Sequence, residues 1–194
     1  LDTFTDILTE IWWPLDRALD TEAIYLSALA GSWDAVRCGT TLIFDHHASL
    51  ACVKDSRDRG EQGIAEVGLR GCLCYEVTDR GGKGQRDTTL EENERYLQKL
   101  MDSPQSGVPR FRAMVGAHAS FTLNEESRAG CADLAKELGV GVHIHVAEDP
   151  CDEAMTQAGY GSNLFDRFAK HGLMDIPGTI FAHGTHLSDA DIDT

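Results

Sequence analysis

The chain has 194 residues, of which 42% are hydrophobic and 25% are charged, a composition typical of a globular protein. Its formal net charge of −15 argues against nucleic acid and against an anionic membrane surface as partners, because both would repel it. No apolar run approaches the ~20 residues that a transmembrane helix needs.

Six cysteines are scattered singly along the chain, and none belongs to a C-x-x-C pair. This pattern predicts reduced structural thiols rather than a zinc knuckle or a disulfide scaffold, and it favours a cytoplasmic protein. The chain begins with Leu1 rather than Met and stops at Thr194, where a new helix is predicted to start. We therefore expect an internal piece of a longer protein.

Predicted helices and strands alternate along the chain. A helix with one apolar face is predicted from Thr21, as its N-cap, to about Cys38, and the apolar run TTLIFD that follows predicts a strand. The later predictions, in chain order, are a helix near 51–67, a strand near 69–77, a Gly-rich loop, a helix near 90–103, a strand at 111–117, a helix at about 124–138, a strand within GVGVHIHVAED, a helix at about 161–171 and a strand near 179–182. Five strands that alternate with helices predict an α/β fold with a parallel sheet.

Two architectures fit this alternation, a doubly wound open sheet and a TIM-type (β/α)8 barrel. The predicted strand ends carry polar residues, in chain order His46 with His47, Glu76 with Asp79, His118, His145 with Glu148, and His183. An open sheet gathers its ligand contacts at one switch point, whereas a barrel brings every strand end to one mouth. Polar residues at all five strand ends therefore favour the barrel.

The segment GVGVHIHVAED carries a candidate site. His145 lies at the strand end and Glu148 in the next turn, so a possible metal ligand stands beside a carboxylate that could transfer protons. In isolation, such an H-x-x-E is more often a core histidine followed by a helix-capping glutamate, and His143 is interpreted as a packing residue. His118 and His183 end two further strands, and three histidines at consecutive strand ends predict a functional cluster.

Asp45, His46 and His47 end the first predicted strand. They could bind a metal, orient a substrate or cap the next helix, and by strand alternation only one of the two histidines can face a barrel interior. The Gly-rich loop TDRGGKGQRD could be a lid that offers Arg80 to a carbonyl or an anion, or a solvated surface loop. The two cysteines of the strand before this loop are predicted to pack in the interior.

Four segments together resemble the amidohydrolase superfamily: GTTLIFDHHAS, VGAHASFTLNEES, GVHIHVAED and FAHGTHLSD. The similarity is greatest to its aminohydrolase branch of guanine, 8-oxoguanine and triazine deaminases and chlorohydrolases, and within that branch to the SsnA-type aminohydrolases. The resemblance covers the whole chain, and H-x-x-E followed by A-H-G is its most specific part.

The resemblance implies a role for each histidine of the cluster. His145 would be a ligand of one divalent metal ion, with zinc favoured over iron. Glu148 would be the proton shuttle, and His183 would contact the hydrolytic water or the substrate. His118 would contact the substrate ring.

The implied function is that of an aminohydrolase, or deaminase, whose metal-bound hydroxide attacks a C–N bond of a nitrogen heterocycle such as a purine. His46 and His47 lie where the family has no universal catalytic residue, and we expect them to contact this small-molecule substrate. The alternatives are an amidase or chlorohydrolase of the same superfamily, or a non-catalytic α/β binding or interaction fragment. A homodimer of the full-length protein is also implied.

The chain departs from the family pattern at both ends. The family's H-x-H ligands on strand one would precede Leu1, and its aspartate ligand on strand eight would follow Thr194. The β-sandwich that flanks the barrel in this family is also not found. We therefore expect residues 1–194 to form the central part of a barrel domain, strands 2 to 6, with one of four metal ligands and no catalysis of its own.

Overall fold

The structure is a computed structural model that describes residues 1–103, 107 and 109–193. Within them, one sheet contains the strands β1 (Leu42–His47), β2 (Arg70–Val77), β3 (Phe111–Ala113), β4 (Val115–Ala119), β5 (Val142–Val146) and β6 (Ile180–His183). The strand order is β1-β2-β4-β5-β6, β3 pairs with β2, and all these pairings are parallel. β3 and β4 occupy one position interrupted at Met114, so the sheet has the five predicted strand positions.

Helices connect the strands in sequence order. They are α1 (Phe4–Ile7), a π-helical turn (Leu8–Trp12), α2 (Trp13–Ala18), α3 (Thr21–Arg37), α4 (Ser56–Val67), α5 (Lys83–Asp102), a 3₁₀ turn (Ser120–Thr122), α6 (Glu125–Leu138), α7 (Pro150–Tyr160), α8 (Leu164–Lys170) and α9 (Asp189–Ile192). Among the residues described, none of these helices has the length and hydropathy that a membrane crossing requires.

Three local predictions differ from the structure. The N-cap of α3 is Asp20 rather than Thr21, since the Asp20 side chain accepts a hydrogen bond from the amide of Ala23. α5 begins at Lys83, so the predicted Gly-rich loop is shorter than expected. The helix α7 was not predicted, although Asp149 as N-cap and a proline at the first helical position are typical start signals.

The apolar core lies between the convex face of the sheet and the helices that cover it. Val115, Val142 and Ile144 of the sheet are fully buried, as are Ala132 and Ala135 of α6. Fully burying a valine or isoleucine side chain contributes about 1.5–3 kcal/mol. Because side chains alternate along a strand, this burial fixes which residues of each strand face the opposite, concave side.

The sheet is so strongly curled that β1 and β5 meet across its concave face. Two strand positions separate them, and a flat sheet would hold them ~14 Å apart. The rings of His46 on β1 and His145 on β5 nevertheless stack with centroids 4.4 Å apart. Such curvature belongs to a barrel wall, so the predicted α/β barrel architecture is confirmed for the part described.

Candidate active site

Histidines gather at the carboxyl end of the concave face. Ile144 enters the core, so its neighbours His143 and His145 point to the concave side. The ring centroid of His145 lies 5.8 Å from that of His118 and 5.1 Å from that of His183. The structure thus brings together the three histidines that were predicted as a cluster from their positions at strand ends.

His183, at the end of β6, contacts two side chains at the end of β5. Its Nε2 lies 3.0 Å from Nδ1 of His145 and 3.4 Å from Oε2 of Glu148. One potential ligand atom from each of the three side chains lies within 4.8 Å of the others. Burial, together with the nearby His183, lowers the pKa of His145 to about 4. His145 is therefore neutral at pH 7, which is the form that binds a metal.

The backbone at these two strand ends adopts an uncommon conformation. Ala147 has a φ of 49° and His183 a φ of 75°, both in the left-handed region that is unfavourable for residues with a Cβ atom. The amide of Gly184 donates to the carbonyl of Val146 at 2.9 Å and so fastens the turn after β6 to the end of β5. Such conformations cluster at functional sites, and here they hold Glu148 beside His183.

His118 is positioned by an irregularity in β4. The register between β4 and β5 shifts at this residue, and bulges of this kind redirect side chains near active sites. Its Nδ1 lies 2.6 Å from Oγ1 of Thr122, and its Nε2 lies 3.9 Å from Oε2 of Glu76. Burial, followed by the charge of Arg80, lowers the pKa of His118 well below its ordinary value, so that its ring is neutral at pH 7.

Glu76 of β2 also lies at the candidate site, beside His118, and its position in the sequence predicted no role for it. It is 6% exposed, and burial raises its pKa to about 7. It forms an ion pair with Arg80, which also pairs with Asp16 at 3.4 Å and lies over the ring of Trp13. Arg80 is therefore buried and engaged rather than offered by a lid. The alternating pattern C-x-C-x-E of β2 is the signal that could have placed Glu76 on the concave face.

The two histidines of β1 face opposite sides of the sheet. His46 stacks on His145 and lies edge-on to His143, with ring centroids 4.7 Å apart. His47 lies edge-on to Tyr75 of the buried face and lines a cavity with Asp45. Strand alternation thus turns His47 away from the concave face that carries the other histidines, and the substrate contacts expected of His46 and His47 stay predictions.

The N-terminal segment borders the site, which the sequence analysis did not anticipate. Phe4 and Leu8 line a small cavity together with His118, His145 and Glu148. The aromatic and aliphatic side chains of residues 1–20 were visible in the sequence, but their place depends on a tertiary contact. This segment therefore forms one wall of the candidate site.

Comparisons with known proteins agree with this geometry. The model of the amidohydrolase family matches residues 2–194. The 5-methylthioadenosine/S-adenosylhomocysteine deaminase of Moorella thermoacetica is 31% identical over 185 residues, which are 95% of this chain and 40% of that protein. The 5'-deoxyadenosine deaminase of Methanocaldococcus jannaschii is 28% identical over 180 residues, 93% of this chain and 40% of that protein. The chain thus spans about 40% of the length of these curated relatives.

Solved structures show the same fold. An adenosine deaminase from Xanthomonas campestris with bound zinc superposes with a TM-score of 0.81 at 21% identity, over 97% of this chain and 41% of that one. A guanine deaminase from C. acetobutylicum with bound guanine gives a TM-score of 0.83 at 17% identity, over 98% of this chain and 45% of that one. Because the family model matches residues 2–194, which are nearly the whole of this chain, the chain belongs to the amidohydrolase family.

Proposed function

We propose that residues 1–194 form strands 2 to 6 of a barrel domain in a metal-dependent aminohydrolase, which removes an amino group from a nitrogen heterocycle such as a purine. The observation that carries this proposal is the convergence of His145, Glu148 and His183 at the ends of β5 and β6. Relatives named as deaminases of adenosine derivatives support the substrate class.

The donor atoms of this cluster fit a divalent cation. Imidazoles and carboxylates are common ligands of catalytic zinc, and His145, whose ring also lies against those of His46 and His118, would bind the ion. Imidazole suits both zinc and iron, and zinc is favoured because a structural relative holds zinc. When bound, such a cation acts as a Lewis acid and lowers the pKa of water towards ~7.

Glu148 would then transfer protons, and the histidines would position the water and the substrate. Glu148 has a side chain that is 38% exposed, so it can reach both water and substrate. It would transfer one proton of the attacking water to the ring nitrogen and the other to the amino group, which then leaves as ammonia. A C–O bond forms and the C–N bond breaks. His183 would orient the water, and His118 and His46 would contact the ring.

The test is a Glu148→Gln substitution in the full-length protein. We expect kcat to fall by about 10²–10⁴-fold, since the shuttle is lost, while the metal content stays unchanged. The exposed Glu137→Gln variant of α6 is the control and should keep full activity. An unchanged rate in the Glu148 variant would contradict the assignment. Release of chloride, or of an amine from an amide, instead of ammonia would favour the alternative hydrolase activities.

We also propose that the full-length protein is cytoplasmic and forms a homodimer. All six cysteines are free thiols, which fits a reducing compartment.

The dimer rests on the family resemblance alone, and light scattering of the purified protein tests it directly.

A further inference from the structure

We propose that His46, Cys74 and His143 form a second metal site, for a thiophilic cation such as Zn²⁺. This site shares no residue with the cluster of His145, Glu148 and His183, and it gives His46, proposed above as a contact of the substrate ring, a metal-binding role instead. It goes beyond the proposed function and does not depend on it.

The three residues lie on the concave face, and His143 lies one strand repeat further from the mouth than His145. His46 and Cys74 are directly paired in register on β1 and β2, and His143 reaches them from β5 across the curled sheet. His143 precedes His145 by two residues, which corresponds to ~7 Å along a strand. Curling of the sheet, rather than proximity in sequence, therefore assembles the cluster.

The distances between the donor atoms are close to those of a tetrahedral zinc site. Sγ of Cys74 lies 3.9 Å from Nδ1 of His143, and one ligand atom from each of the three residues lies within 4.8 Å of the others. Zinc bonds of 2.0–2.1 Å to nitrogen and 2.3 Å to sulfur place neighbouring ligand atoms about 3.3–3.6 Å apart. Small rotations of the side chains would close this gap.

His46 provides the second, independent observation. Both of its ring nitrogens are buried, and no described residue is a hydrogen-bond partner for either. Leaving one buried polar group unpaired costs about 1–3 kcal/mol. A thiol–imidazole hydrogen bond in an ordinary core could account for Cys74 and His143, which are 2% and 8% exposed. It leaves the nitrogens of His46 unexplained, whereas coordination would use one of them.

The chemistry of the donors selects the ion. On binding, the thiol of Cys74 loses its proton to solvent and a sulfur–metal bond forms, with no change of oxidation state. The thiol also contacts the backbone carbonyl of Asp45 at 3.5 Å, a weak contact that the metal would replace. Thiolate with imidazole favours zinc, cobalt or copper over magnesium and calcium, which prefer oxygen ligands.

Cobalt substitution tests the site in the full-length protein. Co²⁺ added to metal-free protein should give a near-ultraviolet thiolate-to-cobalt charge-transfer band. Cys74→Ser should abolish this band. The control Cys72→Ser should retain it, because Cys72 lies two residues away on the same strand but in no metal-ligand group among the described residues. His145→Ala should also retain it, which separates this site from the proposed catalytic one.

A measurement on the unmodified protein covers the case in which Cys74→Ser does not fold. The X-ray absorption spectrum of the zinc-loaded protein should contain a sulfur shell at about 2.3 Å. Absence of the charge-transfer band and of the sulfur shell from the wild-type protein would overturn the proposal. A band that persists in folded Cys74→Ser, or that disappears in His145→Ala, would overturn it equally.

Discussion

The ion pair between Asp45 and Arg57 should be a main determinant of stability beside the site. The Arg57 side chain is fully buried, and its Nη1 donates to Asp45 at 2.6 Å. Nη1 also lies 3.4 Å from the carbonyl of Cys74, while Nε and Nη2 have no partner among the described residues. Asp45→Ala would therefore leave a buried guanidinium charge without compensation. Breaking such a pair from one side costs about 3–5 kcal/mol.

We expect the lower end of that range, about 3 kcal/mol, because Arg57 adjoins a cavity of about 360 Å³ that can admit water. The double variant Asp45→Ala/Arg57→Met should recover most of the loss, since no buried charge then remains. The control is Lys83→Met, which breaks an ion pair with Glu126 whose side chains are 70% and 65% exposed. Exposed pairs contribute about 0–1 kcal/mol.

Urea denaturation of the wild type, Asp45→Ala, Arg57→Met, the double variant and Lys83→Met measures these differences in the free energy of unfolding, provided that each protein unfolds in one cooperative transition. A loss below about 1 kcal/mol in Asp45→Ala would refute the reasoning, because solvent would then already compensate Arg57. Additive losses in the double variant would refute it too. They would show that the two side chains stabilise the protein through separate packing contacts rather than through their charges.

Three further outcomes are expected. Because burial raises the pKa of Glu76 from 4.5 to about 7, its contribution to stability is complete below pH 4.5 and is lost as the pH rises through 7. In metal-free protein, Glu76→Gln should therefore gain up to about 3 kcal/mol relative to wild type between pH 4 and 8, and a pH-independent difference in urea titrations would count against this. Gly116→Ala should cost about 2 kcal/mol, because a Cβ atom there would lie 2.2 Å from the carbonyl oxygen of Tyr75; Gly159→Ala, with nothing within 4 Å, is the control in thermal melts. Chelation with EDTA should lower the Tm of the full-length protein and added zinc should restore it, and an unchanged Tm would contradict a bound metal.

The strands and the histidine cluster could be predicted because their signals are local. Apolar runs of β-branched residues mark strands, and parallel strands bring their carboxyl ends together. The orientation of β1 could not be predicted in this way. Its run LIFDHH contains Asp45 at a position that faces the helices, where hydrophobic periodicity expects an apolar residue. The partner that makes this position tolerable, Arg57, comes from α4, and the pairing exists only in the tertiary structure.

The orientation of β1 in turn determines what the concave face can bind. With Asp45 turned towards Arg57, His46 joins His118, His143 and His145 on that face, and burial lowers the pKa of all four. These rings are uncharged at pH 7, and each offers a nitrogen lone pair to a cation or to a hydrogen-bond donor. The positive charge of Arg80 is already engaged by Glu76 and Asp16.

A face with neutral nitrogen donors and the carboxylate of Glu148 at its rim attracts a cation rather than an anion, because no described positive side chain there lacks an acidic partner. A substrate that approaches this face must therefore meet a bound cation, or offer hydrogen-bond donors of its own to the imidazoles. An amino-substituted heterocycle can do either. Its ring nitrogens can bind a cation, and its amino group can donate a hydrogen bond to an imidazole. The electrostatics of the concave face thus support the substrate class proposed above.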